Sequence, residues 1–539
     1  EKGYPPTRMD TEVVVPRRTP SDFADIVVFE DDKCQTPFLV VECKKQAITS
    51  AEEKQAIEQA FGNAHSLRAP FALFDSLSSS ACFDTSGKYA SMERVENRRG
   101  TRTATPDQYQ DSTPYFRYAP GTEEDIQPVL PKKLENIVQR VHSIIWAGGK
   151  RDPLSAFDEW SKILFAKVHD ERVTANQEPR QFQIGTGETA TKVANRIHSL
   201  FKQARKEDVS VFEENVRIDL SDDKIYEIVR LMQPISIVSM DSDTIGLAFE
   251  RFFGSIFRGE LGQYFTMREL TRFMVAVSDI KPDDYILDPT AGSGGFLLEA
   301  MLQVWRSINS KYSGQAELER KRYDFAKQHV FGIEINDTLS RILKINLLLH
   351  HDGHTNVEAG RSALDIDFSN ERLKSNWKGG FTRILGNPPF GDKVKRGDRD
   401  QLGTNNLDNF ELGLKKGEVS SELLIFERSI NFLEDGGRIA FVLPDGFFNN
   451  RGKQTGALQA RQLMVSTGKI EMIVSLPDHA FRKSGAQNKT SILVYKKFTK
   501  EERAIFTAAG ETQRGSDITA GLRALNYSVF LAEANQIGY

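Results

Sequence analysis

Asn387, Pro388, Pro389 and Phe390 follow the apolar pair Ile384-Leu385 and Gly386 in the stretch RILGNPPFGDK. That order places an amide, a fixed turn and an aromatic ring at the end of a strand-like run. An exocyclic amine on a heteroaromatic ring is a poor nucleophile, because its lone pair is delocalised into the ring. Two acceptors aimed at its two N–H bonds favour tetrahedral nitrogen and restore the lone pair. The Asn387 side-chain oxygen can supply one acceptor and the Pro388 backbone carbonyl the other. The prolines hold φ near about −65° and fix that carbonyl in place. Such a site works by preorganised electrostatics and proximity, with no strong base needed before attack. Asn-Pro and Pro-Pro also form ordinary turns, so the tetrapeptide takes its meaning from its company.

A second constellation is DPTAGSGGF, Asp288 to Phe296. Its glycines allow a tight turn and close approach of the backbone to a ligand. A helix begins just after it, so free N–H groups point outward. A dinucleotide loop would read G-x-G-x-x-G and receive a pyrophosphate. Here Asp288 opens the loop and would repel a phosphate. The loop suits a cation better, such as a ligand carrying an ammonium and a sulfonium. Glu334, ending the strand in FGIEIND, can take both hydroxyls of a ribose. Asp288, Thr290, Gly292, Ser293, Gly294 and Glu334 together fit S-adenosylmethionine. A structural glycine turn is the alternative for the loop alone.

A third constellation lies near the start. ADIVVF and VVECKK read as neighbouring strands. Alternation puts Glu42 and Lys44 on one face and Cys43 on the other, where it is expected in the core. Asp25, Glu42 and the Cys43 carbonyl could hold Mg²⁺ through oxygen, and Lys44 could orient or deprotonate the attacking water. The pattern resembles D-x(n)-(D/E)-x-K nucleases of the PD-(D/E)xK kind, and Gln59 resembles an accessory glutamine in some of them. A solvated strand edge bearing Lys44 and Lys45 is the alternative.

The surrounding elements follow from periodicity. Residues 1–120 read as a small α/β domain, with a Ser-capped helix over Ser50–Leu67 and loops or a weak hairpin over 76–113. Pro120–Asp125 reads as a linker. Residues 121–258 read as all-helical. One face of SAFDEWSKILFAKVHDER carries Phe157, Trp160, Ile163, Leu164 and Val168, and IGLAFERFFGSIF (Ile245–Phe257) continues the pattern. GTGETATK (Gly185–Lys192) lacks the G-x-x-x-x-G-K-[ST] spacing of a phosphate loop, and no other segment has it. From 259 to 539 strands and helices alternate. That predicts a mostly parallel sheet with helices on both faces and ligands at the strand C-termini. Asp288–Phe296 and Asn387–Phe390 should then face one cleft. The fold class is α/β multidomain.

Bulk properties agree. The chain has 539 residues, 39% hydrophobic and 27% charged, consistent with about three domains. The net charge of −4 argues against a general nucleic-acid coat, so DNA contact would rest on local patches such as Glu93–Arg102 and Lys393–Asp400. The three cysteines form no C-x-x-C pair. No apolar run approaches the roughly 18 residues of a membrane span, and no signal sequence opens the chain. The expectation is cytoplasmic, with no membrane partner.

DPTAGSGGF, FGIEIND and GNPPF, in this order, resemble the amino-methylating DNA methyltransferases. GQYFT (Gly262–Thr266), 22 residues before Asp288, resembles the segment that closes over the methionine end of the cofactor, which implicates Tyr264, Phe265 and Thr266. The order is similar to that of adenine-N6 enzymes, and above all to modification subunits of type I restriction systems, over roughly residues 130–500. The resemblance implies a Rossmann-like methyltransferase domain, S-adenosylmethionine as cofactor, and an adenine flipped out of double-stranded DNA to stack on Phe390. It also implies a target-recognition domain or specificity subunit absent from this chain. The family usually has an acidic residue after Gly in the segment reading EAGRSALDID. Arg361 stands there, so Asp365 is the expected substitute. The first 120 residues resemble the nuclease domain of type I restriction subunits and of fused restriction–modification enzymes. The implied protein methylates and also cuts DNA with Mg²⁺. Three alternatives stay open: a non-cleaving partner- or DNA-binding module at the start, a binding scaffold, and cytosine-N4 or protein-glutamine methylation.

Overall fold

The computed structural model describes residues 4–537 apart from 5, 17, 19, 32, 46–47, 77–78, 87–99, 107–115, 147–152, 186–187, 241–265, 313, 351–353, 377–378, 453–454, 479, 482–488 and 513–514. Contacts divide the chain into two compact units: 1–209 with 213–252, and 253–539 with 210–212. The sequence suggested three segments. The first two form one unit because the expected linker is woven into the helices. Tyr118 exchanges hydrogen bonds with the Gln183 side chain at 2.8 Å, and Gln127 bonds the backbone at Pro234 and Ser236. The helix expected over Ile245–Phe257 lies outside the described residues.

The first unit opens with a six-stranded sheet in chain order: β1 (Met9–Val15), β2 (Asp22–Phe29), β3 (Pro37–Lys44), β4 (Phe71–Ser76), β5 (Ser80–Asp84) and β6 (Thr101–Thr103). Helix α1 (Ser50–Leu67) crosses between the parallel pair β3 and β4. Its cap is Thr49 rather than Ser50, in a reciprocal capping box with Glu52. Ala60, Phe61 and Ala64 of α1 pack on Ala24, Val27, Val40 and Ala72 of the sheet. The opposite face carries Val28, Phe38, Leu39, Val41 and Phe71. That cluster stops at Val41, so Cys43, expected in the core, is exposed.

Helices α2 (Pro131–Trp146), α3 (Pro153–Val173), α4 (Ala190–Glu207) and α5 (Asp222–Met232) complete this unit. The predicted apolar face of α3 is buried, and so is much of its polar face, including Lys162 and Lys167. Burial is tolerated because charges are paired: Lys167 with Glu171 at 3.1 Å and Lys162 with Asp158 at 3.0 Å. The Gly185–Lys192 segment runs into α4 from Ala190, and its residues 186–187 lie outside the described residues. Its Glu188 carboxylate accepts from Gly185 N and is forked by Arg196.

The second unit is built on an eight-stranded sheet. Its elements include α6 (Arg268–Val277), β7 (Ile286–Asp288), α7 (Gly295–Lys311), α8 (Gln315–His329), β8 (Val330–Glu334), α9 (Asp337–Leu349), β9 (Val357–Ala359), β10 (Phe381–Gly386), β11 (Lys393–Lys395), β12 (Glu418–Ser420), α10 (Ser421–Phe432), β13 (Leu433–Pro444), β14 (Gly468–Ser475), β15 (Thr490–Lys497) and β16 (Phe530–Glu533). The sheet order is β16-β14-β15-β13-β10-β7-β8-β9. All neighbours run parallel except those of β15. β11 and β12 form a separate hairpin.

Successive residues of the central strands feed opposite cores. Ile286, Val330, Leu385 and Ala440 face Met274, Phe296, Leu297 and Trp305. Leu287, Phe331, Ile384 and Phe441 face Phe426, Phe432 and Tyr495. Each fully buried side chain of this size contributes about 1.5–3 kcal/mol. Both faces are covered, which is why these strands read as nearly continuous apolar runs.

Candidate active site at the strand ends

Register decides what meets here. Leu287 of β7 lies beside Ile384 of β10 and Phe331 of β8, all parallel. Asp288, Glu334 and Asn387 therefore leave the same edge of the sheet. They line one cavity of about 280 Å³, together with Thr266, Thr290, Gly292, Ser293, Pro389 and residues 361–364.

The Gly-rich loop is locked to the neighbouring strand. Ala291 N donates to the Ile333 carbonyl at 2.9 Å, and Gly292 N to Glu334 Oε2 at 2.8 Å. Glu334 Oε1 takes Asn336 N at 2.8 Å. Asp288 Oδ1 accepts from Thr290 N at 3.0 Å. Gly294 closes the turn at φ 91°, where a Cβ would come within 2.5 Å of Leu343 Cδ1, so any other residue would be strained in its backbone and would push that side chain aside.

Three polar atoms at this cavity are buried without a hydrogen-bond partner among the described residues: Asp288 Oδ2, Thr290 Oγ1 and Asn387 Oδ1. Burial pushes the Asp288 carboxyl up to about 8, and the nearby Glu334 charge adds to it against the hydrogen bond from Thr290 N. Burial also raises Glu334, opposed by the N–H groups of Asn336 and Gly292. Without a ligand the site holds carboxyl groups poorly compensated for charge, which is an environment made for a cation.

Asn387 is held asymmetrically. Its Nδ2 donates to Thr266 Oγ1 at 3.1 Å, and its Oδ1 remains open. Pro388 is buried behind it, and the Pro389 carbonyl accepts from Ser421 Oγ at 3.3 Å. The β11–β12 hairpin places Asp392 and Val394 on the cavity and leaves Lys393 and Lys395 exposed.

Some expected residues are placed differently. Asp365 is buried but does not line the cavity. Its carboxylate caps its own turn at Ser362 N, 3.2 Å away, and Arg361 through Leu364 form the wall instead. Arg361 turns back to Glu358, with which it pairs at 3.3 Å. Phe390 packs edge-on against Phe481, ring centres 6.1 Å apart, and is not in the cavity wall. Tyr264 and Phe265 lie outside the described residues. Sequence reasoning missed Ile335, which lines the cavity beside Glu334 with 65% of its surface exposed. It also missed Ser421 and Ile425, which reach the wall from α10. An apolar residue directly after an acidic strand end was a usable signal for the first. The other two needed the tertiary fold.

In the first unit, the face of β3 beneath α1 gathers Asp25, Glu42, Lys44, Gln59 and Asn63. Glu42 is fully buried. Asn63 Nδ2 donates to its Oε1 at 2.5 Å, and its Oε2 has no partner among the described residues. Burial raises the carboxyl to about 7. The Asn63 hydrogen bond opposes this, and the Asp25 charge adds to it. Asp25 Oδ2 accepts from Cys43 N at 2.7 Å, and Lys44 Nζ reaches Gln59 Oε1 at 3.4 Å. Among the described residues no group of three or more His, Cys, Asp or Glu side chains could hold a metal. No described helix is long and apolar enough to cross a membrane.

Comparison with known proteins adds family evidence. The N-6 DNA methylase family matches residues 240–523, and the type I restriction enzyme R protein N-terminus family matches residues 1–97. The type II restriction enzyme and methyltransferase RM.BcgI of Heyndrickxia coagulans is 26% identical over 247 residues, 46% of this chain and 33% of that protein. The type I restriction enzyme EcoEI methylase subunit of Escherichia coli is 29% identical over 239 residues, 44% of this chain and 43% of the subunit. The chain thus spans less than half the length of these relatives. A structure from work on assembly and conformational transition of the type I R-M system aligns with a TM-score of 0.51 and 19% identity, over 69% of this chain and 75% of that one. That likeness is one of fold.

Asp288 makes the unliganded protein sensitive to pH. Its folded value of about 8 stands above the roughly 3.9 of an unfolded aspartate. Its contribution to stability is full below about pH 4 and is lost as pH rises through about 8. Asp288→Asn keeps the Thr290 bond and removes the ionisation. The variant should be more stable than wild type without ligand, with a margin larger at pH 8 than at pH 5 by about 1–3 kcal/mol. Denaturant melts at the two pH values measure it, and equal margins would contradict the assignment.

Proposed function

The chain belongs to the N-6 DNA methylase family, and from that premise we propose that it is the methylating component of a restriction–modification system, acting on the N6 amine of adenine in DNA. The carrying observation is the Asn387 amide. Its nitrogen is engaged by Thr266 while its oxygen is buried and open, in the same cavity as Asp288 and Glu334.

The donor set fits S-adenosylmethionine, whose sulfonium methyl is the electrophile that the reaction consumes. Asp288 and Thr290 offer their unpartnered oxygens to the cationic methionine end. Glu334 accepts one backbone N–H on each oxygen and keeps further lone pairs for ribose hydroxyls. Ile335 and the 361–364 wall replace Asp365 as the seat for the cofactor's adenine. Gly292, Ser293 and Gly294 let the backbone approach. For the substrate, Asn387 Oδ1 and the Pro388 carbonyl accept from the two N–H groups and return the lone pair to nitrogen. A base in a duplex cannot reach this cavity, so it must be flipped out. Phe390 would leave Phe481 to stack on it. Double-stranded DNA and a target-recognition domain or specificity subunit are the partners, with Lys393 and Lys395 placed to meet phosphates beside the cavity.

A second activity is favoured by the first unit. Glu42 presents a buried, unpartnered oxygen beside Asp25, and the segment matches the restriction-subunit family. Asp25, Glu42 and the Cys43 carbonyl would hold Mg²⁺, whose charge would return Glu42 to its ionised form. Lys44, steadied by Gln59, would face the attacking water in DNA cleavage.

Two measurements separate these claims. Nucleoside analysis of unmethylated genomic DNA, after incubation with protein, S-adenosylmethionine and specificity partner, should show N6-methyladenine. Asn387→Ala should lower the yield by about 100-fold or more, whereas N4-methylcytosine, or an undiminished yield, would refute the adenine assignment. Glu42→Ala should abolish Mg²⁺-dependent cutting and spare methylation. Loss of both activities, or of neither, would sink the nuclease assignment.

A further inference from the structure

We propose that Thr266 is the positioning residue that sets the Asn387 amide, holding its oxygen toward the incoming amine. The proposal rests on the methyltransferase reading above and adds to it. The resemblance placed Thr266 with the cofactor. Thr266 lines the same cavity, and its hydroxyl also meets the catalytic amide: Asn387 Nδ2 donates to Thr266 Oγ1 at 3.1 Å, across 121 residues of chain.

The two ends of an asparagine amide are alike in shape and opposite in hydrogen-bonding sense. With the oxygen toward the substrate, the amide accepts a hydrogen bond from the amine and favours its lone pair. Rotated by half a turn, it faces the amine with two donors against two donors. The prolines after Asn387 fix the backbone, but they do not set the terminal side-chain torsion, which is broad and roughly two-fold. Something outside the loop must choose between the two orientations. A hydroxyl can accept or donate, so Thr266 anchors the inner end of the amide while the two N–H donors of the substrate favour the oxygen-outward orientation. In that orientation Nδ2 donates to Thr266 Oγ1, and Asn387 Oδ1 is left buried without a partner among the described residues.

The position of that hydroxyl is itself fixed. Thr266 immediately precedes Met267, the cap of α6. Thr271 Oγ1 closes the first turn onto the Met267 carbonyl at 3.0 Å. Leu270, Met274 and Val275 anchor the helix in the same core as Phe296 and Leu297 of α7. The anchored helix and the strand β10 thus hold the two ends of one hydrogen bond. The hydroxyl oxygen carries the function, so serine can replace threonine and valine, its near-isostere, cannot.

The test uses the full chain with unmethylated genomic DNA, its specificity partner and S-adenosylmethionine, and measures S-adenosylhomocysteine binding by calorimetry. Thr266→Val should lower kcat about 10- to 100-fold while the S-adenosylhomocysteine Kd stays within about threefold. Thr266→Ser should restore kcat to within about threefold of wild type. An unchanged kcat in Thr266→Val overturns the proposal. A Kd that weakens in step with kcat also overturns it and returns Thr266 to the cofactor seat. A serine variant as poor as the valine variant overturns it as well. If Asn387→Ala proves as active as wild type, the methyltransferase reading itself falls, and that outcome is separate from the failures above.

Discussion

Three parallel strands, β10, β7 and β8, are bonded in register, and their shared C-terminal edge leaves Asp288, Glu334 and Asn387 around one cavity. Parallel pairing makes this unavoidable, since neighbouring strands end on the same side and helices carry the chain back. A slip of one residue would turn Asp288 toward a core and bring Leu287 to the cavity. The loop after β7 is then tied to β8 through Gly292 N and Glu334 Oε2. That bond holds two carboxyl groups closer and drier than folding alone would favour. The open oxygens of Asp288, Thr290 and Asn387 are the cost of keeping a site ready for a charged ligand.

The sequence made this edge legible for a physical reason. Glycines, prolines and acidic residues at strand ends each do a job that few other residues can, so Asp288, Gly292, Glu334 and Asn387 announce themselves. The parallel sheet was equally legible, because strands covered on both faces read as apolar runs. What the chain did not disclose depends on which way a turn faces. Asp365 has the right chemistry four residues from Arg361, yet its turn folds the carboxylate back onto Ser362. Phe390 follows the prolines as expected, but its ring rests against Phe481. Ser421 and Ile425 come from a helix buried on nearly every face and carry no local mark.

The same logic holds in the first unit. Glu42 and Lys44 alternate toward α1 as strand geometry requires, and Asn63 and Gln59 meet them there. Cys43 failed as a core residue because the opposite cluster ends at Val41. The linker expected at Pro120–Asp125 failed because turn residues describe local conformation and say nothing of partners. Its neighbours Tyr118 and Gln127 find theirs far along the chain. In both units a carboxyl group is buried with one oxygen unpaired, and in both a positively charged ligand would relieve it.

The proposed function requires the cavity to be the seat of S-adenosylmethionine. Calorimetric titration of the full chain with S-adenosylmethionine, wild type against Asp288→Ala, tests this most directly. One site per chain is expected in the wild type, with at least about a tenfold loss of affinity in the variant. No binding to wild type, or equal affinity in both proteins, would contradict it.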